Sequence, residues 1–243
     1  MPKKESKKNN GVFILKERIQ ETDDVAILKF FPQGGKNFSF RPGQFITVCF
    51  TDNRCGGQGK PYSISNCPGD EFLAIAVKEI GRFSGALHNL KIGEKVKITK
   101  PGGYFYPDEQ MKNLVFLAGG IGIAPFYSII NDCFKRGVGG KNLALFYSGK
   151  TEADNVFSKE LNELAEKWRG FKIIYILTRQ EKDRRNGNRE FQRLNAKILK
   201  KYLKNLNNKH YFICGSIEFV NDLWKELKNN KVKEDNIRVE SFY

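Results

Sequence analysis

The 243-residue chain reads as an all-β unit followed by an α/β unit. The first is an antiparallel sheet, closed or sandwiched, and the second a mainly parallel sheet covered by helices on both faces. Three observations predict this. Up to about Pro107, short apolar runs alternate with Gly, Pro, Asp and Asn. From Asn113 onward the rhythm becomes strand then helix. Between the two, the apolar run at 114–118 enters the turn Gly119-Gly120-Ile121-Gly122 and then a helix opened by Ala124 and Pro125.

In the first half, the segments at 25–31, 44–50, 72–77 and 95–99 are strand-like, with β-branched residues and alternation. Turn residues such as Arg41-Pro42-Gly43, Cys67-Pro68-Gly69-Asp70 and Pro101-Gly102-Gly103 separate them, the pattern of an antiparallel all-β unit. One short helix is predicted at about 84–90. In the second half, strands are predicted at 114–118, 143–147, 172–177 and 210–214. Phe157, Leu161, Leu164, Ala165 and Trp168 recur at helical spacing, as do Phe219, Val220, Leu223, Trp224 and Leu227. Alternating β and α elements make a parallel sheet with both faces covered. The expected division is a disordered basic tail at 1–10, a β domain at 11–107 and an α/β domain at 112–243, with the junction at 104–112.

Composition excludes several classes. The chain lacks any run of the ~20 apolar residues a membrane span needs, and the polar, lysine-rich start has no apolar core of a secretory signal. Five scattered cysteines without a C-x-x-C pair point to reduced thiols in a cytoplasm and against an iron–sulfur cluster of ordinary spacing. Neither His88 nor His210 has a partner at zinc-ligand spacing, so no metal site is expected. The net charge of +15 suits an acidic partner. No zinc-finger, helix-turn-helix or RNA-binding motif accompanies it, so no nucleic acid is expected.

The glycine turn is itself chemically suggestive. Glycines let backbone turn tightly and approach a ligand, and free N–H groups at a helix start hold pyrophosphate. Three further motifs stand in order around it: Lys60-Pro61-Tyr62-Ser63, Gly81-Arg82-Phe83-Ser84 and Cys214-Gly215-Ser216. Together, over about residues 12–243, the four resemble the ferredoxin–NADP reductase superfamily.

The resemblance implies a six-stranded antiparallel β-barrel that holds a flavin, followed by a Rossmann-like nicotinamide-nucleotide domain. It places Lys60 at the flavin phosphate, Tyr62 against the isoalloxazine ring and Ser63 at its N5 edge, with Pro61 between them. Relatives usually carry arginine where this chain has Lys60, so the bidentate fork is lost and flavin would be held more loosely. Val77 and Lys78 belong to the implied cofactor-binding set. Gly81, Arg82, Phe83 and Ser84 would start the helix that cradles the flavin pyrophosphate, with Ser84 as N-cap; this second cradle favours FAD over FMN. Gly119, Gly120, Gly122 and Pro125 match the turn beneath the NAD(P)H pyrophosphate, with Ile121 in place of a common threonine. Cys214 and Gly215 would let the nicotinamide approach the flavin, and Ser63, Cys214 and Glu240 form the implied catalytic set. Phe242 or Tyr243 would cover the ring. Lys150, Thr178 and Arg179 are similar to phosphate-binding positions of NADPH-using relatives, with Arg184, Arg185 and Arg189 nearby, a slight lean to NADPH.

The expected activity is hydride transfer from NAD(P)H to FAD and passage of electrons to a separate acceptor, a small acidic carrier such as ferredoxin or flavodoxin. The alternatives are a reductase of free flavin, ferric chelate or quinone; an electron-transfer subunit of a larger dehydrogenase; and a non-catalytic basic nucleotide- or nucleic-acid-binding module.

Overall fold

In the computed structural model, residues 11–35, 38–137, 142–182 and 187–242 are described; the expected tail at 1–10, and Arg184, Arg185 and Tyr243, lie outside them. Six strands form the first sheet: β1 (Gly11–Thr22), β2 (Val25–Pro32), β3 (Phe45–Phe50), β4 (Lys60–Ser63), β5 (Leu73–Lys78) and β6 (Lys95–Ile98), in spatial order β4-β3-β6-β1-β2-β5. Every pairing is antiparallel. The two edge strands meet through an antiparallel bridge between Ile64 and Ile75, and Ser65 N–H donates to the Ala74 carbonyl at 2.9 Å. Closure leaves no open edge, so the barrel is the form adopted.

The period of two along each strand assigns its side chains to two different cores. On β5, Ile75 and Val77 point into the barrel with Leu15, Leu28, Phe30, Ile46 and Val96. Ala74 and Ala76, with Val25 and Ile27 of β2, belong instead to a core shared with the second sheet. Helix α1 (Arg82–His88) puts Leu87 into the barrel core, and His88 Nε2 lies 2.6 Å from the Val77 carbonyl. The helix predicted at 84–90 therefore begins two residues earlier.

The second sheet contains β7 (Asn113–Gly119), β8 (Asn142–Gly149), β9 (Phe171–Leu177), the two-residue β10 (Arg189–Glu190), β11 (His210–Ser216) and β12 (Ile237–Phe242). Its order is β10-β9-β8-β7-β11-β12, with every pairing parallel. Helices α2 (Ile123–Lys135) and α3 (Ser158–Lys167) cover one face, and α4 (Ala196–Leu203) and α5 (Ile217–Asn229) the other. Strand order reverses between β7 and β11, the switch point where open α/β sheets bind ligands at the carboxyl ends of their strands.

Hydrogen bonds and an ion pair join the two halves. Ser128 Oγ of α2 donates to the Asn66 carbonyl at 2.6 Å, and Glu21 of β1 accepts from the backbone N–H of Phe157 at 2.7 Å, at the start of α3. Lys135 pairs with Asp70 at 3.2 Å. No helix among the described residues is long and apolar enough to cross a membrane.

Candidate active site: a cofactor cleft between the sheets

A cavity of about 870 Å³ lies between the barrel and the carboxyl ends of β7 and β12, within the range of roughly 300–1,000 Å³ usual for ligand sites. Strand β4 supplies one wall: Lys60, Pro61, Tyr62 and Ser63 all line it. Antiparallel pairing of β4 with β3 sets Tyr62 opposite Ile46 and Ser63 opposite Phe45. The Tyr62 ring stacks on Phe83 of α1 with 6.4 Å between centroids, and Phe83 in turn packs on Phe50 at 4.9 Å. Burial raises the Tyr62 phenol above its ordinary value, so it remains neutral.

The start of α1 forms the next wall with Gly81, Arg82, Phe83 and Ser84. Here the structure corrects the expected cap. Gly81 is the N-cap, and Ser84 stands three residues into the helix, where its Oγ accepts from the N–H groups of Ile80 and Gly81 at 2.9 and 3.0 Å. Arg82 donates to the Arg54 carbonyl at 2.9 Å and so ties the loop before β4 to the helix. Lys78 also lines the cleft, paired with Asp24 at 2.8 Å. Val77 does not: its side chain belongs to the barrel core.

The glycine turn provides the opposite side, with different residues exposed from those expected. Gly120–Gly122 forms one 3-10 turn, and α2 begins at Ile123 rather than Ala124, with Pro125 as its buried third residue. The atoms facing the cleft come from Ile121 and Ala124. Gly122 is needed for close packing: a Cβ there would lie 2.3 Å from the Cys214 carbonyl oxygen. Gly119 and Gly215 are likewise pressed against the Phe219 ring. Gly120 differs, with φ at +52° and open space around it.

Cys214 is wholly buried on β11, in register with Ala118 on one side and Glu240 on the other. Burial and the adjacent Glu240 carboxyl push its thiol well up, which suits a packed neutral side chain and no nucleophile. Desolvation pushes Glu240 up to about 7, and its Oε2 is buried without a hydrogen-bond partner among the described residues. Ser241 and Phe242 line the main cleft, whereas Glu240 lines a neighbouring hollow with Val239 and Arg238. Lys150, Thr178 and Arg179 form a separate group at the carboxyl ends of β8 and β9, where Arg179 N–H donates to the Lys150 carbonyl at 2.9 Å and Thr178 Oγ1 to the Gly149 carbonyl at 3.1 Å. They lie outside the main cleft's lining.

Sequence reasoning missed Cys55, Gln58, Gly59, Ala76, Ile80 and Ser241 on the cleft wall. Ile80 alone carried a signal, as a large apolar residue in a polar turn; it is 69% exposed. A flavin fits what is present. Ser63 Oγ is buried with no partner among the described residues, and an orphaned hydroxyl on a cleft wall is the mark of a missing polar ligand. The flat Tyr62 face beside it suits a planar heterocycle.

A closed barrel beside a doubly wound sheet, with one cleft at the switch point, defines an FAD- and NAD-binding oxidoreductase. Comparison with known proteins agrees. Residues 12–106 match the oxidoreductase FAD-binding domain and residues 116–225 the oxidoreductase NAD-binding domain. The chain belongs to the ferredoxin–NADP reductase superfamily.

Among curated relatives it is 26% identical over 245 residues to a flavohemoprotein of Bacillus cereus, covering 95% of this chain and 60% of that protein. It is 28% identical over 237 residues to the ferredoxin reductase component of 3-ketosteroid-9-alpha-monooxygenase from Mycolicibacterium smegmatis, covering 93% and 64%. The chain thus spans between 60% and 64% of the length of these relatives. Among solved structures, the flavohem-like FAD/NAD binding domain of a Vibrio cholerae nitric oxide dioxygenase shares the fold with a TM-score of 0.84 at 22% identity, covering 96% of this chain and 98% of that one. A Plasmodium falciparum ferredoxin-NADP+ reductase does so with a TM-score of 0.78 at 22% identity, covering 98% of each.

Proposed function

We propose that this protein takes hydride from NAD(P)H onto FAD held in the cleft and passes the electrons to a separate acceptor, a small acidic carrier of the ferredoxin or flavodoxin kind. When bound, FAD supplies the redox chemistry; the chain's own residues bind, orient and shield it. Tyr62 offers one aromatic face and Phe242 the opposing cover. Lys60, Arg82 and the N–H groups at the start of α1 bind the flavin pyrophosphate. The turn at Gly119, Gly120 and Gly122, with the N-terminus of α2, takes the pyrophosphate of the nicotinamide nucleotide. Cys214 keeps the floor beneath the nicotinamide small and apolar, and Glu240 holds a proton beside it. Orientation of the two stacked rings provides most of the rate enhancement.

The observation that carries this reading is the buried, unpartnered Ser63 Oγ next to the Tyr62 ring: a hydroxyl placed to bond the flavin edge that gains hydride. For the acceptor, support comes from the relative that serves as a ferredoxin reductase component and from the chain's net charge of +15. For the donor, Lys150 and Arg179 favour the 2′-phosphate of NADPH. Five scattered cysteines without a C-x-x-C pair suit a cytoplasmic setting.

The test is the visible spectrum of the purified protein, followed by anaerobic addition of NADH or NADPH. A yellow protein whose absorbance near about 450 nm bleaches, at lower concentrations of NADPH than of NADH, is the expected result. A folded preparation that stays colourless after incubation with FAD sinks the proposal. Equal bleaching by both donors removes the NADPH preference alone.

A further inference from the structure

Residues 149–157 lead from the end of β8 to the start of α3 and carry Lys150. Local contacts fix their path. Thr151 donates to Asp154 Oδ2 from its N–H at 2.9 Å and from its Oγ1 at 2.6 Å. Asn155, 4% exposed, lies over Gly149, where a Cβ would meet its Oδ1 at 2.3 Å. Val156 N–H donates to the buried Tyr147 hydroxyl at 2.9 Å. Phe157 then stacks on Tyr127 of α2, with ring centroids 3.9 Å apart and planes within 7°.

Phe157 holds a φ of +60°. Of the four non-glycine residues at positive φ among the described residues, it alone is buried. A bulky side chain rarely enters the left-handed region, and such strain persists only where the surroundings over-determine it. Tyr127 supplies one constraint. The barrel supplies the other: Glu21, half-buried near the end of β1, accepts from Phe157 N–H at 2.7 Å. The turn that follows brings Asp24 to Lys78 of the cofactor cleft at 2.8 Å. Burial alone would raise the Asp24 carboxyl, but Lys78 and, more weakly, Thr22 and Lys150 hold it below its ordinary value. One hairpin of the barrel thus reaches both the cofactor cleft and the loop that carries Lys150.

We propose that Glu21 is a positioning residue for the nicotinamide nucleotide: by holding Phe157 in the left-handed conformation it sets the course of residues 149–157, and so presents Lys150 to the nucleotide's phosphate. The inference rests on the reading that Lys150 takes that phosphate. Glu21 acts through the backbone of another segment and touches no cofactor itself. Its task needs an acceptor oxygen rather than a charge, and a glutamine amide supplies one as a carboxylate does.

The experiment titrates oxidised, flavin-loaded protein with NADP+ and follows binding by calorimetry. Glu21→Ala should weaken binding about fivefold, the effect of losing one hydrogen bond, and Glu21→Gln should bind as the wild type does. The KM for NADPH should rise by the same factor in Glu21→Ala, with kcat for ferricyanide reduction unchanged. Hydrogen exchange at the Phe157 amide should quicken in the alanine variant alone. Should Glu21→Ala not fold, Glu21→Asp, one methylene shorter, takes its place. Equal NADP+ affinity in wild type and Glu21→Ala, or equal weakening in Glu21→Gln, overturns the role of Glu21. Failure of the wild-type protein to bind NADP+ overturns instead the reading of Lys150 on which it rests.

Discussion

At Gly122 the absence of a side chain is a packing requirement. Its φ of −61° is open to any residue, yet a Cβ would meet the Cys214 carbonyl oxygen at 2.3 Å and the Gly215 nitrogen at 2.8 Å. Both are backbone atoms with no rotamer to yield. Gly122→Ala is therefore expected to cost about 1–3 kcal/mol in urea unfolding, whereas an unchanged midpoint would show that β11 can move away from the turn. Glu240 is a residue of the opposite kind, isolated by burial. Its folded carboxyl, near 7, binds a proton more tightly than the ordinary value of 4.5. The stabilisation this gives is complete below about 4.5 and is lost as pH rises through about 7. The protein should lose about 3 kcal/mol over that interval relative to Glu240→Gln. Parallel stability curves for the two proteins would refute the assignment. Glycine spacing and the final Val239-Glu240-Ser241-Phe242 pointed to these positions in the sequence. The burial of Glu240, and its alignment with Cys214 and not with the cleft wall, did not follow from spacing.

Among the elements, α1 shows how a short helix is set by its first turn. Seven residues long, it is too brief to be stable on propensity alone. Leu87 anchors it in the barrel, and Ser84 ties the approaching chain through the N–H groups of Ile80 and Gly81. Ser84→Ala should lower stability by about 1 kcal/mol and speed loss of bound flavin on dilution; flavin retention equal to wild type would separate this turn from the cofactor. The serine was visible in the sequence, but its position in the cap was misread because Gly81, with no side chain, takes the place a serine usually holds. Two of the elements that went unnamed, β1 and α4, did so for physical reasons. Residues 16–20 of β1 are all exposed, so no alternation appears in that stretch. In α4 only Ala196, Ile198 and Leu199 are buried, and the surrounding lysines read as charge. Asn195, whose side chain accepts from Ile198 N–H at 3.1 Å, was the available start signal.

In the whole molecule, the two sheets share one core, because alternate residues of β2 and β5 face outward onto the layer that includes α2. Such a seam couples their unfolding. Both tryptophans, Trp168 and Trp224, lie in the second half, while flavin release reports on the barrel side. The two signals are expected to change at the same urea concentration; separate midpoints would mean that the halves unfold independently. Both fold classes and the four motifs were legible from local information, since turn residues, apolar period and glycine spacing act between neighbours in the chain. Closure of the barrel through Ile64 and Ile75, the use of Ile121 and Ala124 as cleft wall, and the second hollow beside Glu240 required the assembled molecule. Each depends on side chains from distant segments meeting across a shared space, and no pattern along a single strand records which of its two faces will find a partner.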